Sequence, residues 1–246
     1  MRSPKVFFVA QHPLFGTKSK PRSATYLERS AFYWWWQYLR RNKRYIGCCE
    51  RNGKGQLSKL YADFGDVRRD DFKAWWKGDN NRGARLFAEQ IAEYTLKELI
   101  DKDEWLEDFS QKRVAVIAVN LNLESNRAIK QQFDRWLKKH NPRSRGKPTL
   151  GKNSTAMYPL RRNFATPSLK KTLVVYDAIE SAKEDAKTHG AKVKPLWKIG
   201  HELNLLPHFR NITLDTDARV ALSKTTSRYY RVAKELIANT SKGIFP

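Results

Sequence analysis

The chain has 246 residues with 48 Lys+Arg against 25 Asp+Glu, a formal net charge of +23, and is 40% hydrophobic and 12% aromatic. That apolar mass excludes a disordered chain and suffices for one large domain or two modest ones. No apolar run approaches the roughly 20 residues of a membrane-spanning helix, and no apolar secretory stretch precedes a small-residue cleavage site. Cys48 and Cys49 are adjacent, which excludes a disulfide framework and a CxxC knuckle. A reducing, cytoplasmic setting follows, nucleoid-associated in a bacterium.

In chain order, residues 5–10 (KVFFVA) read as a short strand or extended segment. Residues 11–23, punctuated by Pro13, Gly16 and Pro21, read as a flexible basic arm carrying Lys18, Lys20 and Arg22. Residues 26–44 contain neither Pro nor Gly and read as one helix with Leu27, Ala31, Trp34, Trp35, Tyr38 and Leu39 on its buried stripe. Because successive residues rotate by about 100°, Trp34, Trp35 and Trp36 cannot share a face. The odd one packs under the next segment, or serves as a stacking platform or interface anchor.

After a turn at residues 53–55, residues 57–63 and 70–76 read as short helices, the second capped by Asp70. The polar run 79–83 is loop. Residues 86–94 read as a helix or strand–helix junction and 96–106 as an acidic helix. Residues 113–123 (RVAVIAVNLNL) are the clearest strand. Residues 127–140 return to helical spacing at Ile129, Phe133, Trp136 and Leu137, behind a Ser125 or Asn126 cap. Six Pro and Gly mark residues 141–167 as a basic linker, and three helices follow at about 168–187, 194–205 and 223–239. The expected fold is mainly α with a small β element. It has a Trp-rich domain at 1–140, a linker or loop at 141–167 and a helical domain at 168–246.

The charge is clustered. Residues 1–44 hold 10 basic and 1 acidic side chains and residues 127–171 hold 13 and 1, whereas residues 45–126 hold 13 and 15. Two dense cationic tracts predict a polyanion partner, with nucleic acid ahead of acidic protein. The residues expected to grip phosphate are Lys18, Lys20, Arg22, Arg40 and Arg41 in the first tract. In the second they are Arg143, Arg145, Lys147, Lys152, Arg161 and Arg162. A bilayer surface would need an amphipathic helix with a free apolar face, and neither tract shows one.

Residues 146–152 (GKPTLGK) have the spacing of a phosphate-binding loop. Asn153 stands where a magnesium-binding hydroxyl belongs and no strand leads in, so they read as a phosphate-neutralising loop instead. Asp63, Asp66, Asp70 and Asp71 form an acidic cluster. A metal-dependent nuclease could use Asp63, Asp66 and Asp70, although Arg68 and Arg69 lie between them. The five histidines and two cysteines have no metal-ligand spacing, and no catalytic residue, metal or cofactor is read.

Residues 196–205 (LWKIGHELNL) and 223–237 (SKTTSRYYRVAKELI) pair two apolar helices, the second opening on hydroxyls and Arg228. The pair resembles the helix-turn-helix family of DNA-binding proteins, in which an I-G-x-x-L-x-L helix precedes a T-x-S-R-x-x-x-x-A recognition helix. It departs from that family in the length of the connection, residues 206–222, where three or four residues are usual. The resemblance implies that Lys224, Thr225, Thr226, Ser227, Arg228 and Arg231 approach bases and phosphates. The expected function is duplex DNA binding, favoured over RNA, in transcription regulation or a mobile element, as a homodimer or larger nucleoprotein assembly. The alternatives are the nuclease above and an RNA-binding subunit of a ribonucleoprotein that stacks bases on exposed aromatics.

Overall fold

Residues 6–17, 19–90, 117, 119, 125–140, 154–161, 165–210 and 212–246 are described by a computed structural model. The chain falls into two units, Val6–Glu89 with Leu150–Pro246, and Met1–Lys5 with Gln90–Thr149. The architecture is mainly α, as the sequence predicts.

In the larger unit the single helix expected over residues 26–44 is three: α1 (Ala24–Leu27), α2 (Ala31–Leu39) and α3 (Lys43–Glu50). Ser30 and Asn42 break it, each in extended backbone and each buried. At Asn42 the reason is local, since short polar side chains compete for backbone hydrogen bonds inside helices and settle at caps; the Ser30 side chain makes no such bond among the described residues. Asn42 Oδ1 accepts from the Tyr45 amide at 3.1 Å, capping α3, while its Nδ2 donates to the Ile237 carbonyl at 2.7 Å.

Helix α2 is buried almost all round, so all three tryptophans are core residues. Trp34 Nε1 donates to the Glu28 carbonyl at 2.8 Å. The Trp35 ring meets Phe87 and Phe245 at 5.1 and 5.5 Å between centroids, and Trp36 meets Phe72 at 5.2 Å. Packing accounts for every ring, and none is left as a stacking platform.

Helices α4 (Ser58–Phe64) and α5 (Phe72–Phe87) complete this aromatic core. The cap of α5 is Asp71, whose Oδ1 accepts from the Ala74 amide at 2.8 Å, rather than the expected Asp70. The loop expected at 79–83 exists as a left-handed interruption of α5 at Asp79, Asn80 and Asn81, with φ of 44°, 56° and 65°. Asp and Asn tolerate that conformation best among residues with a side chain. Gly83 follows because a Cβ there would lie 2.1 Å from the Trp76 ring.

β structure among the described residues is a two-stranded sheet of two-residue strands, β1 (Val6–Phe7) and β2 (Glu89–Gln90), with two isolated bridges. The strand expected over 113–123 lies outside the described residues except for Ile117 and Val119, which are exposed and in no element. The helix expected over 96–106 also lies outside them. In the smaller unit the described helix is α6 (Asn126–His140), as expected, and none of its side chains is buried.

The C-terminal part of the larger unit holds α7 (Thr166–His189), α8 (Leu196–Glu202), a 3-10 turn at Pro207–Phe209 and α9 (Thr216–Thr240). Helix α7 starts with Pro167 in its first turn and stops at left-handed Gly190. Val175, Ile179, Ile199 and Leu205 form its core with α8, against Tyr229 and Tyr230 of α9.

The expected separation of a 1–140 domain from a 168–246 domain is corrected. Tyr38 donates its hydroxyl to the Leu169 carbonyl at 3.0 Å, and Phe245 lies 5.3 Å from the Tyr38 ring and 5.5 Å from Trp35. A helix apolar on every side needs more cover than residues 6–89 supply, and residues 150–246 provide it.

Glu180 of α7 links α9 and α3, accepting from Lys183 at 2.8 Å and from the Tyr230 hydroxyl at 2.7 Å, with Lys43 Nζ at 3.5 Å. Burial disfavours its ionised form, but the Lys183 and Tyr230 hydrogen bonds and the two lysine charges outweigh burial and bring its pKa down to about 2. A carboxyl depressed in the fold stabilises it above the unfolded-chain value of about 4.3 and loses that contribution as pH falls toward 2. Wild type should therefore melt above Glu180→Gln at pH 7, the gap closing between about pH 4.5 and 2. A gap that does not change with pH would refute this role.

Candidate nucleic-acid interface

The long helix α9 buries Ala218, Leu222, Thr226, Ala233, Leu236 and Ile237 along one stripe. A helix turns about 100° per residue, so Lys224, Arg228 and Arg231 (i, i+4, i+7) lie on the opposite stripe. All three are exposed, with Ser227 exposed beside them. No ion pair engages them among the described residues. Arg228 lies 5.7 Å from the Tyr229 ring, and Lys171 of α7 lies 5.6 Å from the same ring. Lys234 extends the cationic face one turn further, 5.5 Å from the Tyr230 ring.

This arrangement changes the helix-turn-helix reading in two places. Helix α9 begins at Thr216, not at 223, because Asp215 Oδ1 caps it by accepting from the Ala218 amide at 2.7 Å. Residues 224–228 are therefore mid-helix and not at an N-terminus. Thr226 is fully buried, donates its hydroxyl to the Leu222 carbonyl at 2.7 Å and lies against Gly200 of α8. It packs α8 on α9 and cannot reach a ligand. Thr225 is half-buried.

Other expected phosphate ligands are already engaged. The Arg41 fork closes on Asp177 at 3.1 and 2.7 Å, and Arg40 pairs with Asp70 at 2.5 Å while lying 4.6 Å from the Trp36 ring. Both are structural clamps, because the carboxylates they need arrive from α7 and from the start of α5. Where a flexible basic arm is expected at 11–23, the described residues on either side of Lys18 are tied together by backbone hydrogen bonds. Arg22 donates its amide to the Phe15 carbonyl at 3.1 Å, and Thr17 donates to the Lys20 carbonyl at 3.2 Å. Lys20 is exposed there, and the exposed Arg22 lies 4.6 Å from the Tyr26 ring. Arg161 is exposed. Lys18, Arg143, Arg145, Lys147, Lys152 and Arg162 lie outside the described residues, as does the 146–152 loop.

The acidic cluster does not converge. Asp63 accepts from the Tyr158 hydroxyl at 2.6 Å and pairs with Arg85; burial and that bond push the phenol's pKa up. Asp66 is held by the Arg68 fork, whose hydrogen bonds keep it below the usual carboxylate range. Asp70 pairs with Arg40 and Asp71 caps α5. Among the described residues no three His, Cys, Asp or Glu side chains stand together as metal ligands, so the nuclease reading loses the residues it used. Cys48 and Cys49 are buried, and burial pushes the Cys49 thiol up to about 11, leaving it protonated and unreactive.

In the smaller unit, α6 carries Arg127, Lys130, Arg135, Lys138 and Lys139 against one acid, Asp134. Its rings form a ladder: Phe133 to Trp136 at 6.3 Å and 11°, then Trp136 to His140 at 4.7 Å and 20°. The aromatic spacing was visible in the sequence, but its lack of burial was not. Among the described residues no helix is long and apolar enough to cross a membrane. The chain matches no known family model, curated protein or solved structure.

Proposed function

We propose that the protein binds nucleic acid, duplex DNA foremost, through the exposed face of α9, in a regulatory or mobile-element role. The carrying observation is the stripe of Lys224, Arg228 and Arg231, unpaired and opposite the buried stripe of a 25-residue helix. Cations free of carboxylates can neutralise phosphates and release their counterions. Such a stripe costs the isolated fold electrostatic repulsion, which a polyanion relieves.

The test is fluorescence anisotropy with labelled duplex DNA across a salt titration. Joint charge reversal of Lys224, Arg228 and Arg231 should leave the melting temperature near wild type, since all three are exposed. It should flatten the slope of log K against log salt by roughly 2–3, about 0.9 for each phosphate that is no longer neutralised. Arg228→Ala alone should weaken sequence discrimination by about 1–3 kcal/mol where that side chain meets a base edge. Equal affinity and slope for wild type and the charge-reversed protein would end this reading.

A second reading, single-stranded RNA or DNA, is supported by the α6 ladder, since rings flanked by cations suit unpaired bases. Tighter binding of a single strand than of the duplex, abolished in Trp136→Ala, would favour it.

A further inference from the structure

Between α3 and the turn that follows it lies a cavity of about 340 Å³ walled by Lys43, Arg44, Arg51, Gly47, Gly55 and Gln56, with no carboxylate in its wall. Lys43, Gly47 and Arg51 stand at i, i+4 and i+8, and Arg44 lies on the same side of the helix. Gly47 opens the space: a Cβ there would sit 3.5 Å from Arg51 Nη1, and one at Gly55 would sit 3.5 Å from Arg51 Nη2. The guanidinium is thus set between two residues that have no side chain.

The cations are positioned but not neutralised. Arg44 Nη2 donates to Gln56 Oε1 at 3.0 Å, and Arg51 Nε donates to the Lys54 carbonyl at 3.4 Å, leaving the other guanidinium donors free. Neither arginine has an ion pair among the described residues, and Lys43 has only its 3.5 Å approach to Glu180. Buried Cys48 forms the floor, its thiol donating to the Lys54 carbonyl at 3.8 Å. Planar forks matched to tetrahedral oxyanions, gathered in one recess, are how proteins hold phosphate.

We propose that this recess is a phosphate-binding site, separate from the α9 face and independent of the nucleic-acid reading. Its ligand is a phosphate or diphosphate group, whether on a free nucleotide or at a nucleic-acid strand end.

Thermal unfolding with pyrophosphate, against sodium chloride at equal ionic strength, tests it. At ten times Kd, pyrophosphate should raise the wild-type melting temperature by roughly 3–6 °C beyond chloride. Gly47→Glu replaces a helix-interior glycine with a better helix former and puts a carboxylate among the three cations. It should fold at least as stably as wild type and show no pyrophosphate shift. Arg44→Ala with Arg51→Ala should weaken binding at least tenfold. A wild-type shift no larger than that of chloride, or a full shift in Gly47→Glu, overturns the site.

Nucleoside triphosphate and matched 5′-phosphorylated and 5′-hydroxyl oligonucleotides then separate the sources. Stronger binding of the triphosphate than of pyrophosphate points to a free nucleotide. A preference for the 5′-phosphorylated strand points to a strand end. Failure of the α9 charge reversal to affect DNA binding would remove the nucleic-acid reading and leave the pyrophosphate shift untouched.

Discussion

Trp35→Ala should lower stability by about 3–5 kcal/mol, the range for deleting a large aromatic side chain from a packed core. In a chain of this size that is a fall of roughly 6–20 °C in melting temperature. Trp35 is fully buried, with its ring against those of Phe64, Phe87, Tyr158 and Phe245. Phe64 and Phe87 come from α4 and α5, whereas Tyr158 and Phe245 come from the far end of the sequence. The cavity left behind would therefore open the seam between residues 6–89 and 150–246, and the surrounding rings cannot all collapse into it.

Trp35→Phe is the informative partner. Trp35 Nε1 is buried with no acceptor in reach among the described residues, so phenylalanine removes an unsatisfied donor together with part of the ring. It should cost less than half of what alanine costs. Equilibrium unfolding in urea checks both variants. If Trp35→Ala shifts the midpoint by less than the equivalent of about 1 kcal/mol, the seam does not depend on this ring. If the two halves unfold separately in wild type, the single shared core is wrong.

The same seam explains which parts of the fold were legible in the sequence. Helix α7 falls within two residues of its expected ends because its apolar period, Pro167 and Gly190 are local signals. The loop at Asp79, Asn80 and Asn81 is legible for the same reason. The breaks at Ser30 and Asn42 are not, since Asn42 is held by Ile237, 195 residues away. A chain can advertise its caps but not the partner that makes a cap worthwhile. Adjacent acids are equally ambiguous: Asp70 and Asp71 both suit a cap, and Arg40 takes the first.

On the functional side, the basic face of α9 was legible through Lys224, Arg228 and Arg231, but the start of the helix was not. The sequence reading opens this helix at residue 223, and Asp215, eight residues earlier, performs the capping. Arg40 and Arg41 counted toward a cationic tract because charge counting cannot see Asp70 or Asp177 folding onto them. Conversely, Lys43 and Arg44 close the first cationic tract, but Arg51 sits in a stretch with 13 basic and 15 acidic residues, so charge counting does not join the three into one recess.

Glu89→Ala should cost about 2–4 kcal/mol, while Glu89→Gln should cost roughly 1 kcal/mol, and the difference identifies what this carboxylate does. Glu89 lies in β2, is 1% exposed, and its carboxylate holds the segment that begins at Ser154. Its Oε2 accepts from the Thr155 amide at 2.5 Å and the Thr155 hydroxyl at 2.7 Å, and its Oε1 accepts from the Ser154 hydroxyl. Alanine removes the oxygens that accept from the Thr155 amide and the two hydroxyls, and losing a hydrogen bond to a charged acceptor costs about 1.5–3 kcal/mol.

The hydroxyls can turn toward water because Thr155 is exposed at its edge, so the amide carries most of the loss. Glutamine can place its carbonyl where Oε2 stands, keeping the Thr155 amide bond, and turn its NH2 toward Ser154 Oγ. That oxygen already accepts from the Ala156 amide at 3.1 Å, so the second hydrogen bond is crowded and the replacement falls short of neutral. Hydrogen exchange gives the local readout. Thr155 and Ala156 amides should exchange faster in Glu89→Ala with little change in Glu89→Gln, while amides of α2 change only through global stability. Equal exchange at Thr155 in all three proteins would show that the carboxylate does not tether this segment.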